Sequence, residues 1–290
     1  MSGPQAKGAG KRGDMQGFND FIGRKRVTRD ILDPARVNAL DIALGGGGSF
    51  ARGDALPLLD HWLHFWEVKP PGELGEDGHP AKGGFLPPIP LPRRMWAGGR
   101  LSFYHPLILG DAVEKTSTIV SITEKSGSSG PLVFVTLRHE YADENGVAVS
   151  EEQDLVYREA AAKMQPLTEA SPPPDATWQE TINPDTVLLF RYSALTMNGH
   201  RIHYDRPYAS DAEYYPRLVI HGPLQAKLMM RLSSRGISEP VKRFSFRGQS
   251  PAYEGMPLHI GGNADDDGGE FWTQQGSGKC MVAAVKTTAT

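Results

Sequence analysis

The chain has 290 residues, with 31 basic and 34 acidic side chains, a formal charge of −3 and 39% hydrophobic residues. A chain of that length can bury a core as one large fold or two modest ones, and a sequence pI near 6.3 leaves no electrostatic footprint for nucleic acid. No apolar run reaches the roughly 20 residues that span a bilayer, so no membrane partner is expected, and Cys280 as the lone cysteine excludes an internal disulfide or a thiolate metal cluster and fits a reducing, cytoplasmic setting.

Residues 1–17 are Gly- and Lys-rich, lack the apolar middle of a secretory signal and read as a flexible N-terminal arm. The first helix is expected from Asp33-Pro34 through Leu44, with aspartate as N-cap, proline at the first helical position, Gly45 beyond the end, and Val37, Leu40, Ala43 and Leu44 on one face. Residues 45–99 then read as a long irregular region anchored by His61, Trp62, His64, Phe65 and Trp66, and loops of that size are usually functional. Strand-like alternation follows over 113–123, 132–141 and 147–158, the last two flanking a hairpin turn at Asp143-Glu144-Asn145-Gly146. These elements define a first half over 18–163, and the proline-rich stretch 164–176 reads as a stiff linker.

The second half, 177–290, opens with the segment 190–195 and a helix begun by Gly222-Pro223, in which Leu224, Leu228 and Leu232 recur every four residues. Strands are expected over 241–247, 256–261, 270–274 and 279–286, with Asp265-Asp266-Asp267 as a hairpin turn and not a calcium loop, since the oxygen spacing of an EF-hand is missing. An internal echo relates Arg100-Leu101-Ser102-Phe103 to Arg243-Phe244-Ser245-Phe246. A helix wrapped by an antiparallel sheet, twice over, is an α+β double hotdog, and that is the expected fold.

Chemistry concentrates in residues 191–205 and in His221-Gly222-Pro223, which together hold three of the nine histidines. On a regular helix, Asn198 and His203 would point about 140° apart, so they converge only if the chain turns, as Gly199 permits. His61 and His64 form a weak His-x-x-His signal with no third ligand at a convincing spacing, and no phosphate or dinucleotide loop is present. No metal and no cofactor are therefore expected.

The run from Asn198 to Asp205, followed by His221-Gly222, resembles the MaoC-like hydratases and dehydratases. His203 falls at that family's catalytic histidine, Asp205 at the following aspartate and Gly222 at the opening of the central helix, while Asn198 stands where the family has its catalytic aspartate and His200 where it has asparagine. The blocks 56–65, 91–99 and 151–158 resemble a narrower branch in which a dehydratase-like half precedes the MaoC-like half. That branch includes mesaconyl-C4-CoA and itaconyl-CoA hydratases and the type 2 hydroxyacyl-thioester dehydratases.

The resemblance implies a CoA-thioester substrate and addition of water across its α,β double bond, which requires a base at the water and a hydrogen-bond donor at the thioester oxygen. His203 is then expected as base, with Asn198 positioning and His200 assisting, and the Gly222 N–H as the donor. Tyr192, His221 and Trp96 are expected along the substrate, although His221 could equally pack beside the helix. Arg191, Arg201, Arg93 and Arg94 would hold a second carboxylate, as in itaconyl-CoA or mesaconyl-C4-CoA giving citramalyl-CoA, or else grip CoA phosphates or form surface pairs. The alternatives are an (R)-3-hydroxyacyl-thioester dehydratase and a non-catalytic acyl-CoA-binding protein, in either case as a monomer or homodimer.

Overall fold

Along the fourth strand, Val133, Val135, Leu137, His139 and Tyr141 are buried and the residues between them are not, which is the two-residue period of a strand with one covered face. The computed structural model describes residues 15–127, 130–167, 169 and 171–289, so residues 1–14 of the N-terminal arm lie outside them. Among the described residues, ten strands form one antiparallel sheet. In chain order these are β1 Lys25–Ile31, β2 Arg93–Phe103, β3 Ala112–Gly127, β4 Gly130–Asp143, β5 Gly146–Arg158, β6 Trp178–Ile182, β7 Arg243–Gly248, β8 Leu258–Asp265, β9 Gly268–Gln275 and β10 Gly278–Lys286.

The sheet order is β1-β3-β4-β5-β2-β7-β10-β9-β8-β6. Read outward from the middle, both halves run in the same sequence, so the sheet is a repeated unit joined at β2 and β7. The echo identified in the sequence lies at this seam, where Arg100 pairs with Ser245, Leu101 with Phe244 and Ser102 with Arg243. A strand that would be an open edge in a single unit is thereby covered.

Three α-helices among the described residues accompany the sheet: α1 Pro34–Ala43, α2 Thr186–Thr196 and α3 Gly222–Gly236. Asp33 caps α1 by accepting from the Ala35 N–H, and Asp185 caps α2 by accepting from the Leu188 N–H. Helix α3 packs on β8, β9 and β10, burying Leu224, Leu228, Met229, Met230 and Leu232, each worth about 2 kcal/mol in apolar burial. It is tied to the other half through a buried ion pair between Lys227 and Asp60, 2.5 Å apart.

The expected pairing of α1 with α3 as equivalent helices is corrected by the chain order. Helix α1 follows the first strand of its half, as α2 follows β6, and α1 packs on α2. The segment that reads as 190–195 in the sequence is part of α2, and strands β1 and β6 escaped the sequence reading because each is short and the covered face of β1 carries Arg26, Thr28 and Asp30 while Val27 and Ile31 are exposed. In the first half, the place of α3 in the chain order is taken by residues 44–92, which hold only short 3-10 turns at Asp60–Leu63 and Pro71–Glu73. Prolines and glycines break any helical run there. Ile89 and Leu91 from this segment, with Phe85, Leu86, Phe18 and Phe21, cover Ile119, Val133, Val135 and Tyr157 of the sheet.

Two turns match their expectation. Asp143 pairs with Gly146 at the β4–β5 hairpin, with Gly146 at φ +105°. Asp265 pairs with Gly268 at the β8–β9 hairpin, where Lys286 bridges Asp265 and Asp267.

Candidate active site

Helix α2 ends at Thr196, and Met197 takes a left-handed conformation at φ 51° that turns the chain back on itself. Asn198 closes the turn, its side-chain oxygen accepting from the His200 N–H at 3.0 Å, and a 3-10 turn at Arg201–His203 follows. This departure from helix brings Asn198, His200 and His203 onto one cavity of about 1300 Å³. The cavity lies under the seam and is lined from both halves, by His61, Trp62, Trp96, Tyr141 and Glu151 on one side and Tyr192, Asn198, His203 and Gly222 on the other.

His203 is 7% exposed and its Nδ1 lies 2.7 Å from the Val219 carbonyl oxygen. A carbonyl only accepts, so Nδ1 carries the proton and Nε2 keeps its lone pair. Burial lowers the imidazole to about 4, against an upward pull from the Val219 hydrogen bond, so the ring is neutral near pH 7. His221 stacks on this ring with centroids 3.7 Å apart and bonds to Ser193 Oγ at 2.8 Å. His221 is fully buried and does not line the cavity, which corrects its expected contact with substrate: it backs His203.

Gly222 begins α3 beside these residues, where first-turn N–H groups have no intrahelical partner and the helix dipole favours negative charge. A Cβ there would meet Met281 Cε and the Trp96 carbonyl only at ordinary contact distance, so what glycine preserves is cavity space next to the N–H.

The expected arginines separate into different roles. Arg191 is exposed and does not line the cavity, because it follows the solvent face of α2 while Tyr192 faces inward. Arg201 is also corrected: its guanidinium holds Asp205 at 2.7 and 2.9 Å and the Glu76 carbonyl at 3.1 Å, so it braces the turn. Arg93 lines the cavity, but its charge is met by Glu213 at 2.7 Å. Arg94 lines the cavity, is 9% exposed, donates to the Pro80 carbonyl and forms no salt bridge among the described residues. Trp96 lines the wall with its indole N–H fixed to the Gly98 carbonyl, edge-on to Trp62.

Two groups on the cavity had no signal in spacing. Glu151, 1% exposed, accepts from Trp62 and Tyr141 and bonds to His61. Burial alone would raise its carboxyl, but the hydrogen bond and charge of His61, with His139 and Lys115, bring it down to about 2. The second group is His79, which lines the cavity on a tight turn between Gly75 and Pro80 and is backed by Asp77, whose Oδ2 lies 3.1 Å from His79 Nδ1. The donor atoms of Asp77, His79 and His200 lie within 4.8 Å of one another, a set that could hold a metal ion by residue type, where spacing had pointed to none. The His61 and His64 pair is not a metal site in the making: His64 Nε2 accepts from the Asp33 N–H and His61 serves Glu151.

A repeated hotdog sheet with a neutral histidine facing the first turn of its central helix defines the class of the double-hotdog hydratases and dehydratases. The sequence matches the family described as hydroxyacyl-thioester dehydratase type 2 over residues 59–254, and the chain belongs to that family. It is 43% identical over 268 residues to mesaconyl-C(4)-CoA hydratase of Chloroflexus aurantiacus, covering 91% of this chain and 95% of that protein. Among solved structures, HtdX from Mycobacterium tuberculosis superposes with a TM-score of 0.65 at 17% identity, covering 90% of this chain and 99% of that one. A further Mycobacterium tuberculosis protein, described as having a double hotdog fold, superposes at 0.52 with 14% identity, covering 92% and 96%.

Proposed function

We propose that the chain adds water reversibly to an α,β-unsaturated CoA thioester whose acyl group carries a second carboxylate, such as mesaconyl-C4-CoA, giving citramalyl-CoA; itaconyl-CoA reaches the same product by this step only after its double bond moves into conjugation with the thioester. The observation that carries this reading is the neutral His203, its Nδ1–H committed to Val219 and its Nε2 available as a base. Water gives a proton to Nε2 as its oxygen bonds to Cβ, the π electrons move toward the thioester oxygen, and the Gly222 N–H at the positive end of α3 takes the developing charge. Asn198 shapes the turn with its carbonyl oxygen and has only its amide N–H₂ left for water or substrate.

Arg94 supports the dicarboxylic acyl group, being a cation on the cavity that forms no salt bridge among the described residues, although its charge also reaches Asp77. In this reading the half over 18–163 shapes the acyl-CoA tunnel and the half over 177–290 carries the base. The protein works as a monomer or homodimer in a reducing, cytoplasmic setting, and no described helix is long and apolar enough to cross a membrane. The test is a mass-spectrometric turnover assay on mesaconyl-C4-CoA, itaconyl-CoA and crotonyl-CoA. Gain of one water on a dicarboxylic substrate, lost in His203→Gln, is the expected result. Turnover of crotonyl-CoA alone would reject the dicarboxylic assignment, and tight binding without turnover would reject the hydratase.

A further inference from the structure

We propose that Asp77 and His79, carried by a loop of the first half, are the second proton-handling group of this site and do the work that a carboxylate at position 198 would do. The inference rests on the hydratase reading above and adds to it where the water proton goes. Position 198 holds an amide, which exchanges no proton under these conditions. The fold brings to the same cavity, from another place in the chain, an imidazole, His79, that is hydrogen-bonded to the carboxylate of Asp77.

The loop is built to stay there. Its Asp77 carbonyl accepts from the Arg201 N–H at 2.9 Å, and its Glu76 carbonyl accepts from the Arg201 guanidinium. Gly78, at φ +85°, meets Gly199 backbone to backbone, and a Cβ on Gly78 would collide with the Gly199 carbonyl oxygen. Within the loop, Asp77 accepts from both the backbone N–H of His79 at 3.0 Å and its Nδ1–H at 3.1 Å. The imidazole is thereby oriented with Nε2 unprotonated, the arrangement in which a carboxylate steadies an imidazolium once it forms.

Three imidazoles then run in series across the cavity wall. His203 meets His200 edge-on with centroids 5.4 Å apart, and His200 lies against His79 at 4.4 Å. Near pH 7 all three are neutral, because burial lowers each of them, with Arg94 adding to the effect at His79. Asp77 stays ionised: burial would raise it, but the side-chain and backbone hydrogen bonds from His79, with the charge of Arg94, hold it well below the usual carboxylate range. Of the three, His79 is the one hydrogen-bonded to a carboxylate, which is the geometry that steadies an added proton.

The steps balance on one proton. As the water oxygen bonds to Cβ, its O–H bond breaks toward His203 Nε2 and the C=C electron pair becomes the enolate of the thioester. The proton passes through His200 to His79 Nε2, directly or across one water. His79 delivers it to Cα as the enolate collapses, and every histidine ends neutral. In dehydration the same path runs backward, with His79 taking the Cα proton. His79 is thus a catalytic residue and Asp77 a positioning residue.

The test compares wild type with His79→Gln and Asp77→Asn in two assays, each variant first checked for the wild-type melting curve. In hydration, His79→Gln is expected to lose about 10²- to 10⁴-fold in kcat with KM changed less than about threefold. Asp77→Asn is expected to lose about tenfold and to move the acidic limb of the rate profile to lower pH, a shift a purely structural role would not produce. In deuterium oxide, the wild type is expected to exchange the Cα hydrogens of butyryl-CoA, which has no double bond to hydrate, and His79→Gln is expected not to.

Hydration by His79→Gln at the wild-type rate, or unchanged exchange, would overturn the proposal. So would one bound metal ion per chain whose removal by a chelator abolishes activity, since Asp77, His79 and His200 would then be its ligands. Exchange by the wild type that depends on His79, without hydration of any enoyl-CoA, would overturn the hydratase reading and leave the dyad standing.

Discussion

Lowering the pH probes His203 most directly. Its pKa of about 4 against an ordinary 6.5 means that protonating it in the folded protein costs about 3 kcal/mol more than in water, at about 1.4 kcal/mol per tenfold. His79, His200 and His221 are lowered as well, each chiefly by burial. The acidic limb of kcat/KM reports the free enzyme and is therefore expected well below 6.5, with the rate level through the range in which a solvent-exposed histidine would titrate.

Stability must follow the same sign. The unfolded chain binds these protons more readily than the folded one, so stability present above pH 6.5 is lost progressively as the pH falls toward 4. Urea unfolding followed across that range should show the decline, and His203→Gln should remove up to about 3 kcal/mol of it. An acidic limb at the ordinary histidine value, or a wild-type stability that is flat between the two pH values, would refute the account of a buried neutral base.

Further outcomes follow from particular contacts. Gly222→Ala should fold with a melting temperature close to wild type, since its Cβ meets nothing closer than 3.6 Å, yet lose about 10- to 100-fold in kcat by crowding the oxyanion donor. Arg94→Gln should cost about 2 kcal/mol in kcat/KM on a dicarboxylic thioester and leave crotonyl-CoA little changed, measured by parallel steady-state assays. Lys227→Met should destabilise by about 3–5 kcal/mol in urea titrations by leaving Asp60 alone in the interior. The double variant Asp60→Asn/Lys227→Met should recover part of that loss.

The parts of the fold written in local pattern could be read from the sequence. Strand β4 alternates strongly enough to be found, β3, β5 and β10 are rich in strand-forming residues, and the short echo at 100–103 and 243–246 marks the seam where the halves pair. That His203 and Gly222 meet at one cavity was legible because each lies in a short local motif, 198–205 and 221–223. Asp77 and His79 were not, because they belong to an irregular loop more than a hundred residues away, brought to the site by the close approach of Gly78 to Gly199 and by the hydrogen bonds of Arg201 to the Glu76 and Asp77 carbonyls. The arginines misled for a related reason: a guanidinium next to a motif says nothing about which carboxylate it meets, and Arg201 and Arg93 were already answered by Asp205 and Glu213.

The strand order repeats, but the helical complement does not. One unit keeps the long buried helix, whose first turn supplies an anion-binding end, and the other gives the corresponding stretch over to loops and open volume. In the proposed reading duplication has divided labour: one unit holds His203 and the first turn of the central helix, and the other can be reshaped around the one turn, Gly75 to Pro80, that is tied to Gly199 and Arg201. Relatives of this architecture should therefore differ in acyl-group size and polarity mainly through the rest of residues 44–92, where insertion or exchange alters the vessel while His79, His203 and Gly222 stay in register.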